Sequence, residues 1–591
     1  MSDPALASLL PLAVAVPLAG GVLAMLVARI SGWLAIASAV VSLAGAGAIL
    51  LLAAPRVYRG DQLTHYLGHW VPVGGAALGI AFSADAWGLT YALAVALIGV
   101  LVLLFTLSSQ SDLGPRELGS FACLFLLLAA ALIGVGLTGD VINLFVWFEV
   151  AALASYALTA FFLERPMALE AAFKILVLTN IASFAVFLAA SFLYTNHGAL
   201  NFGQLAAALR SPPQTVDLIA LSLLVAGFAT KAGLVPFHGW LPDAHTAAPG
   251  PVSALFSGLM VSLGIVVLGR LAFQIFGPHS SPFLGWLMVI GLISAVGGAL
   301  FALFQDDLKR LLAYDTISQM GVLAVGLGSG SLSGLSGAAY HLVNQALFKS
   351  LLFLCAGAIV HATGATALSD MGGLARRFPW LAGGFVVGAL AIAGIPPLNG
   401  YVSVGLIHDA LRESHQPVPL ILMIAAQVLT VAALGKAAWQ AFFRARPASA
   451  EDFPRNEKLH PGMVTALVVL MAGCVGFGVL PEAVLAHVAA PAAGALAGGA
   501  RYGHNLLAGG LHAGASLPVP AVTFSYFSGV ELAIVAVTLV LAAAVFRWAQ
   551  TADLDGGVVG AIRSVQTGSV NDYAAYLVVG LVVTVVALAV A

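Results

Sequence analysis

The sequence predicts an all-α polytopic membrane protein with about sixteen transmembrane helices, and three observations carry that prediction. Hydrophobic residues fill 61% of the 591 positions and charged residues only 8%, where a soluble domain carries about 25% charge. Apolar stretches of roughly 20 residues, the length that crosses a ~30 Å hydrocarbon core, recur from one end of the sequence to the other. Four of the six lysines, Lys174, Lys231, Lys349 and Lys436, stand inside those stretches, while the 17 arginines fall almost entirely in loops. Guanidinium stays charged at physiological pH, whereas an ammonium in low dielectric can lose and regain its proton. That partition points to proton chemistry in a membrane.

The first two runs lie near 5–28 and 31–53. Only Met1–Pro4 precedes them, without a basic segment or a clear cleavage site, so the first is expected to be a retained helix rather than a signal peptide. Loop 54–85 contains the Gly/Val-rich HWVPVGGAALGIAF, which reads as a β-hairpin capping the outer face. Continuous runs follow near 86–108, 117–137, 141–163 and 168–194. The seventh, 216–240, is interrupted: Lys231 precedes LVPFHGWLPDAH, and Pro236, Pro242, Pro249 and Pro251 break the helical register. Runs near 251–275, 284–304, 311–329 and 333–361 are again continuous. The twelfth, 381–411, breaks in the same style, with Pro396, Pro397, Asn399 and Gly400 of AGIPPLNGYVS mid-membrane. Runs near 418–443 and 461–480, a second long external loop at 481–527 rich in Ala, Gly and His, and runs near 528–549 and 571–591 complete the chain.

Unwound backbone survives in a bilayer only where it lines a polar cavity, and broken spans at corresponding positions of two halves mark an inverted-repeat transporter. The breaks lie five spans apart, which predicts two inverted five-helix repeats containing broken helices 7 and 12. The expected divisions are 1–114 (helices 1–3 with the hairpin), 115–277 (helices 4–8), 278–446 (helices 9–13) and 447–591 (helices 14–16). Arg29, Arg116, Arg165, Lys309, Arg310, Arg376, Arg377, Arg444, Arg446, Arg455, Lys458, Arg547 and Arg563 fall on one side. Only Arg56, Arg59, Arg210, Arg270, Arg412 and Arg501 fall on the other. The positive-inside rule makes the first side cytoplasmic and places both termini outside the plasma membrane.

Cys123, Cys355 and Cys474 stand alone in apolar runs, without metal or cluster spacing. There is no Walker A loop and no GxGxxG between a strand and a helix. No cofactor, metal or nucleic-acid partner is expected, and no redox or hydrolytic site is found on the chain. An energy source other than an ion gradient must come from a partner subunit.

Glu149 lies inside GDVINLFVWFEVAALASYAL, with Asp140 at the start of the same helix. A carboxylate there costs a few kcal/mol unless protonated, hydrated or paired. Its natural partner is Lys231, immediately before the first break; their separation could act as a switch. His341 and Lys349 are eight residues apart on one helix, near one face. His361 at that helix end reads as structural. Lys174 and Lys436 stand near helix ends, where each is either a relay residue or a lysine snorkelling to the interface.

With these residues assembled, the chain resembles the antiporter-like subunits shared by respiratory complex I, membrane-bound hydrogenases of formate-hydrogenlyase type, and Mrp-type cation/proton antiporters. The resemblance covers about 115–445 and rests on GDVINLFVWFEVAALASYAL, KAGLVPFHGWLPDAHTAAPGPVSAL, DDLKRLLAYDTISQMG, HLVNQALFKSLLFL and IPPLNGYVS. HGWLPDAHTAAPGPVSALFSG and PPLNGYVS look most like the hydrogenase and Mrp D-type branches. The resemblance implies an ion-translocating subunit of a multisubunit membrane complex, with two half-channels joined at the midplane by buried titratable residues. Protons are the expected ion and Na⁺ the second candidate. Carried over singly, Glu149 matches the family's glutamate on helix 5, Lys231 the lysine on broken helix 7 and Lys349 the lysine on helix 11. Lys174, His341 and Lys436 match polar positions of some branches.

Two positions depart from the pattern. Ser262 stands where the hydrogenase-like pattern has a central lysine, and Val404 where the family usually has a terminal glutamate or lysine. His408, one turn beyond Val404, neighbouring Asp409, and Lys436 on the next helix are the candidate substitutes. Two other functions stay open at this point: a proton-conducting partner driving a bound enzyme such as a carbon-uptake module, and a scaffold that has lost conduction.

Overall fold

The computed structural model describes residues 3–109, 113–446, 459–508, 522–551 and 568–589. Fifteen helices among the described residues are long and apolar enough to cross a membrane. They are α1 (Pro4–Val27), α2 (Gly32–Val57), α3 (Ala86–Ser109), α4 (Pro115–Leu137), α5 (Val141–Thr159), α6 (Pro166–His197) and α7 (Thr215–Ala232). A short α8 (Leu241–Ala247) precedes α9 (Gly250–Ile275), α10 (Ser281–Leu303), α11 (Leu308–Gly328) and α12 (Leu332–Thr363). Two half-length helices, α13 (Pro379–Ile392) and α14 (Asn399–Glu413), form the twelfth span. After them come α15 (Pro417–Phe443), α16 (Pro461–Val479), α17 (Pro481–Ala497), α18 (Gly499–Leu507), α19 (Gly529–Thr551) and α20 (Val570–Ala589).

Burial orders these helices. The apolar window of α9 is buried throughout, whereas that of α19 is only 17% buried, so α9 runs through the centre and α19 lies at the lipid-facing edge. α9 widens into π turns at Phe256–Met260 and Arg270–Ile275, a distortion that recurs at functional sites. It meets α12 at one tight point. A Cβ on Gly357 would lie 2.6 Å from the Gly250 Cα, a spacing only glycine allows; close backbone approach at small residues is how membrane helices pack.

The two breaks fall at 233–240 and 393–398, each with one cis X–Pro bond (Val235–Pro236 and Pro396–Pro397). The hairpin forms, but β1 (Leu63–Tyr66) precedes the HWVPVGGAALGIAF run and β2 (Ala81–Ala84) takes only its last two residues, with a single further bridge, Val73 to Ala76, between them. Thr64 and Ser83, paired across the strands, sit among buried neighbours rather than facing solvent.

Two expectations are corrected. Residues 481–507 are not a loop: α17 and α18, bent by 79°, lay Ala489, Ala492, Ala493 and Leu496 fully buried against the helices, because small side chains permit close packing without a long apolar run. Arg270, counted with the outer-side arginines, is not at the surface either. It is buried within α9, its guanidinium bound to Asp85 at 2.8 and 3.3 Å, to Gln274 Oε1 at 2.6 Å and to the Gly136 carbonyl at 2.9 Å. A buried guanidinium is tolerated where a carboxylate and further acceptors surround it. Arg455, Lys458 and Arg563, used for orientation, and 509–521 of the second loop lie outside the described residues.

The seam between α9 and α12 gives a stability test. Gly357→Val should destabilise by about 1–3 kcal/mol through overpacking. Gly383→Ala, with nothing within 4 Å of its added Cβ, should not. Thermal unfolding of the purified protein in detergent separates the two; equal midpoints would mean that α9 and α12 do not meet this closely.

Candidate functional site

The ionisable side chains form two clusters around the broken spans. In the first, α7 ends at Gly233 in the left-handed conformation, two residues after Lys231. The backbone groups freed beyond it are met by protein: Trp240 donates from its indole to the Thr230 carbonyl at 2.7 Å, and Val235 N–H donates to Ser294 Oγ at 2.9 Å. Lys231 is fully buried, and its Nζ has no hydrogen-bond partner among the described residues. It lies 5.6 Å from the Phe148 ring centroid and 6.0 Å from that of Trp240, at the outer reach of a cation–π contact. Glu149, next to Phe148 on α5, also has a buried oxygen, Oε1, without a partner. The pair expected from the sequence is therefore apart.

Asp140 serves a different purpose. It is the N-cap of α5, accepting from Asn143 N–H at 2.6 Å and Ala81 N–H at 3.3 Å, and burial raises its carboxyl to about 6. Nine residues of helix, about 13 Å at 1.5 Å per residue, separate it from Glu149.

Lys174 is not a free snorkelling side chain. Its Nζ sits 2.6 Å from Glu170 and 2.7 Å from Asp243 of α8, and Asp243 also takes Arg310 at 3.2 Å. Two residues on, His245 is fully buried, with both ring nitrogens unpartnered and its ring stacked on Phe353 at 5.2 Å. Lys309, which reads in the sequence as a loop residue, is buried and donates to the carbonyls of Thr246 and Ala248 at 3.1 and 2.5 Å. Ser262, at the position expected to hold a central lysine, is buried with its hydroxyl unpartnered.

In the second cluster Lys349 is paired. Its Nζ forms an ion pair with Asp315 of α11 and donates to the Leu312 carbonyl at 3.2 Å; both charged side chains are fully buried. One turn along α11, Gln319 Oε1 lies 3.1 Å from His341 Nε2, and His341 Nδ1 lies 2.9 Å from Ser403 Oγ. Asn344 continues the chain, donating to Ser403 Oγ at 3.0 Å and to the Asn399 carbonyl at 2.9 Å. Polar contacts thus run from α11 through α12 to α14, the C-terminal half of the broken span. Val404 stands beside them, lining a cavity of about 20 Å³ with Gln319, Gln427 and Thr430, room for about one water.

His408 and Lys436 lie at opposite ends of this cluster. His408 is buried with Nδ1 3.3 Å from Glu531 of α19, and Arg412 joins Glu531 Oε1 at 2.5 Å while also pairing with Asp409. Lys436 donates to the Leu303 and Gln305 carbonyls, both at 2.7 Å, and so caps the end of α10. Sequence reasoning misses Asp315, Asp243 and Glu531. Asp315 and Asp243 stand within the motifs quoted above and carry the general signal of an ionisable residue in an apolar span; Glu531, in the first turn of an apolar run, resembles an interface residue.

Comparisons with known proteins identify the family. The family profile described as NADH:quinone oxidoreductase/Mrp antiporter, transmembrane, matches residues 138–430. NADH-quinone oxidoreductase subunit N of Desulforudis audaxviator is 32% identical over 468 residues, covering 76% of this chain and 91% of the relative. The D-type component of the Na⁺/H⁺ antiporter of Alkalihalophilus pseudofirmus is 35% identical over 350 residues, covering 59% and 69%. Among solved structures, a chain of the archaeal membrane-bound sulfane sulfur reductase superposes with a TM-score of 0.77 at 27% identity, covering 86% of this chain and all of that one.

The Lys349–Asp315 pair yields a stability prediction. Asp315→Asn strands a buried ammonium and should cost about 3–5 kcal/mol, while adding Lys349→Met should recover most of the loss. Thermal unfolding of the three proteins measures the coupling; additive losses would show that the two residues act independently.

Proposed function

The chain belongs to the NADH:quinone oxidoreductase/Mrp antiporter membrane family, and we infer that it is an ion-translocating subunit of a multisubunit membrane complex and that the ion is a proton. One observation carries the finer reading: Lys231 and Glu149 both have buried, unpartnered polar atoms, while Lys349 is closed on Asp315. A stranded charge in low dielectric costs several kcal/mol and a paired one much less. Opening and closing such pairs therefore changes the free energy of protonation at each lysine, which is what a gated proton path requires. The first cluster stands open and the second shut.

In this reading a proton enters the first half near Lys174 and Asp243, resides at Lys231 while Glu149 is close, and crosses the centre past His245 when Glu149 swings away. It then reaches Lys349, which holds it while paired with Asp315, and when that pair opens it leaves through Gln319, His341 and the outer half of the twelfth span. The half-channels correspond to 115–277 and 278–446, and the complex lies in a prokaryotic plasma membrane with both termini of this chain outside. Na⁺ is the second candidate ion, since the similar Alkalihalophilus pseudofirmus protein is named as part of an Na⁺/H⁺ antiporter. A proton-conducting partner for a bound enzyme would use the same path.

Val404 and Ser262 favour a competing role as a scaffold. Against it stand the buried ionisable groups without partners, which an inert support has no reason to retain.

Glu149→Gln and Lys231→Met replace each side chain with a nearly isosteric one that does not titrate. In the intact complex, reconstituted into vesicles with a pH-sensitive dye, both should assemble and both should reduce coupled proton movement to background. Parental flux in both variants would remove the pair from the mechanism. Parental membranes that move Na⁺ without protons would replace the ion.

A further inference from the structure

The outer half of the second cluster has a gap at Val404: beyond Ser403 the α14 face offers no ionisable side chain until His408, one turn later. His408 is 1% exposed and holds one nitrogen, Nε2, without a hydrogen-bond partner. Its other nitrogen, Nδ1, lies 3.3 Å from Glu531 Oε2. Glu531 comes from α19, a helix whose apolar window is only 17% buried, yet its own side chain is 3% exposed. A carboxylate buried on an otherwise lipid-facing helix needs a reason. Its place is specific: Oε2 lies 3.7 Å from where a Cβ on Gly405 would stand, against the backbone next to Val404. On its far side Arg412 and Asp409, with side chains 27% and 31% exposed, connect it to the surface.

We propose that Glu531, delivered by α19, is the terminal proton-exchanging group of the second half-channel, receiving protons through His408 and exchanging them with the outer face between Asp409 and Arg412. The proposal rests on the reading of this chain as a proton conductor. A proton arriving from the interior binds His408 Nε2, and the Nδ1 proton passes to Glu531 Oε2, so one N–H bond forms, one breaks and one O–H bond forms. The neutral carboxyl loosens its hold on Arg412, which stays paired with Asp409. The carboxyl then gives its proton to water at the outer face, and the imidazole, now carrying its proton on Nε2, turns about its side-chain bonds so that Nε2–H faces the carboxylate and the bare Nδ1 faces the interior, ready to take the next proton. The long side chain from a neighbouring helix thus supplies what position 404 lacks.

The ion pair with Arg412 would also suit a docking anchor for α19, and flux separates the two roles. In the full complex reconstituted in vesicles, Glu531→Gln and His408→Gln should each lower proton flux by about a hundredfold, the low end of what a positioned proton-transfer group contributes. Val404→Glu places a carboxylate one turn from His408 on the same face, and should restore most of the flux in the Glu531→Gln background, which an anchor role does not predict. His408→Gln leaves the Glu531–Arg412 pair intact and decides the matter if Glu531→Gln fails to assemble. Lys349→Met is the reference: if it stops flux while His408→Gln or assembled Glu531→Gln conducts like the parent, Glu531 is only an anchor. If Lys349→Met also conducts like the parent, the proton-path reading itself falls and takes this inference with it.

Discussion

A charged side chain inside a bilayer has to be answered by the protein, because lipid supplies neither a counter-charge nor a hydrogen bond. The lysines of this chain meet that constraint in different ways. Lys174 lies between two carboxylates, Lys349 holds one, and Lys436 and Lys309 cap helix ends on backbone carbonyls. Lys231 has aromatic rings beside it and a glutamate beyond ion-pair contact, with no hydrogen bond. The buried lysine without a hydrogen bond thus sits at the end of a helix that stops mid-span, beside backbone that can rearrange.

The same constraint explains how the breaks are held. Each unwound segment is bound by side chains from other helices: Ser294 of α10 takes the amide of Val235, Gln427 of α15 donates to the Ala393 carbonyl at 2.9 Å, and Asn344 of α12 donates to that of Asn399. The irregular backbone is therefore wired to the helices that carry the ionisable groups. A shift at one break cannot occur without moving its neighbours. Gly250 and Gly357 draw the α9 and α12 backbones together between the clusters, and His245, stacked on Phe353 of α12, spans the same seam. This contact gives a physical route by which the state of Lys231 can be felt at Lys349.

What the sequence makes legible is local. Span length, the proline and glycine breaks, and the buried lysines are all written within a few residues, so periodicity and composition reach them. The partners are not local. Lys349 and Asp315 are 34 residues apart, Lys174 and Asp243 are 69 apart, and His408 and Glu531 are 123 apart, so their pairing depends on packing that no local pattern encodes. Arg270 lies inside the 251–275 run, yet nothing local marks it as an ion-pair residue, because its partner, Asp85, is 185 positions away. Residues 481–507 read as a loop because Ala and Gly weaken the apolar signal, although those small residues are what lets α17 lie against the helices. Asp140 shows the converse: a carboxylate at a predicted helix start is better explained by its local role as a cap than by proximity to Glu149.

The central claim is that a change of protonation at the first cluster accompanies ion movement. Infrared difference spectroscopy of the intact complex in membranes, recorded with and without an imposed proton gradient, reports that change directly through the carboxyl stretch of buried acids. The expected result is a difference band in the carboxylic-acid region that disappears when Glu149 is replaced by glutamine and shifts when Lys231 is replaced by methionine. A spectrum without such a band in the parent, or one that both replacements leave unchanged, would contradict it.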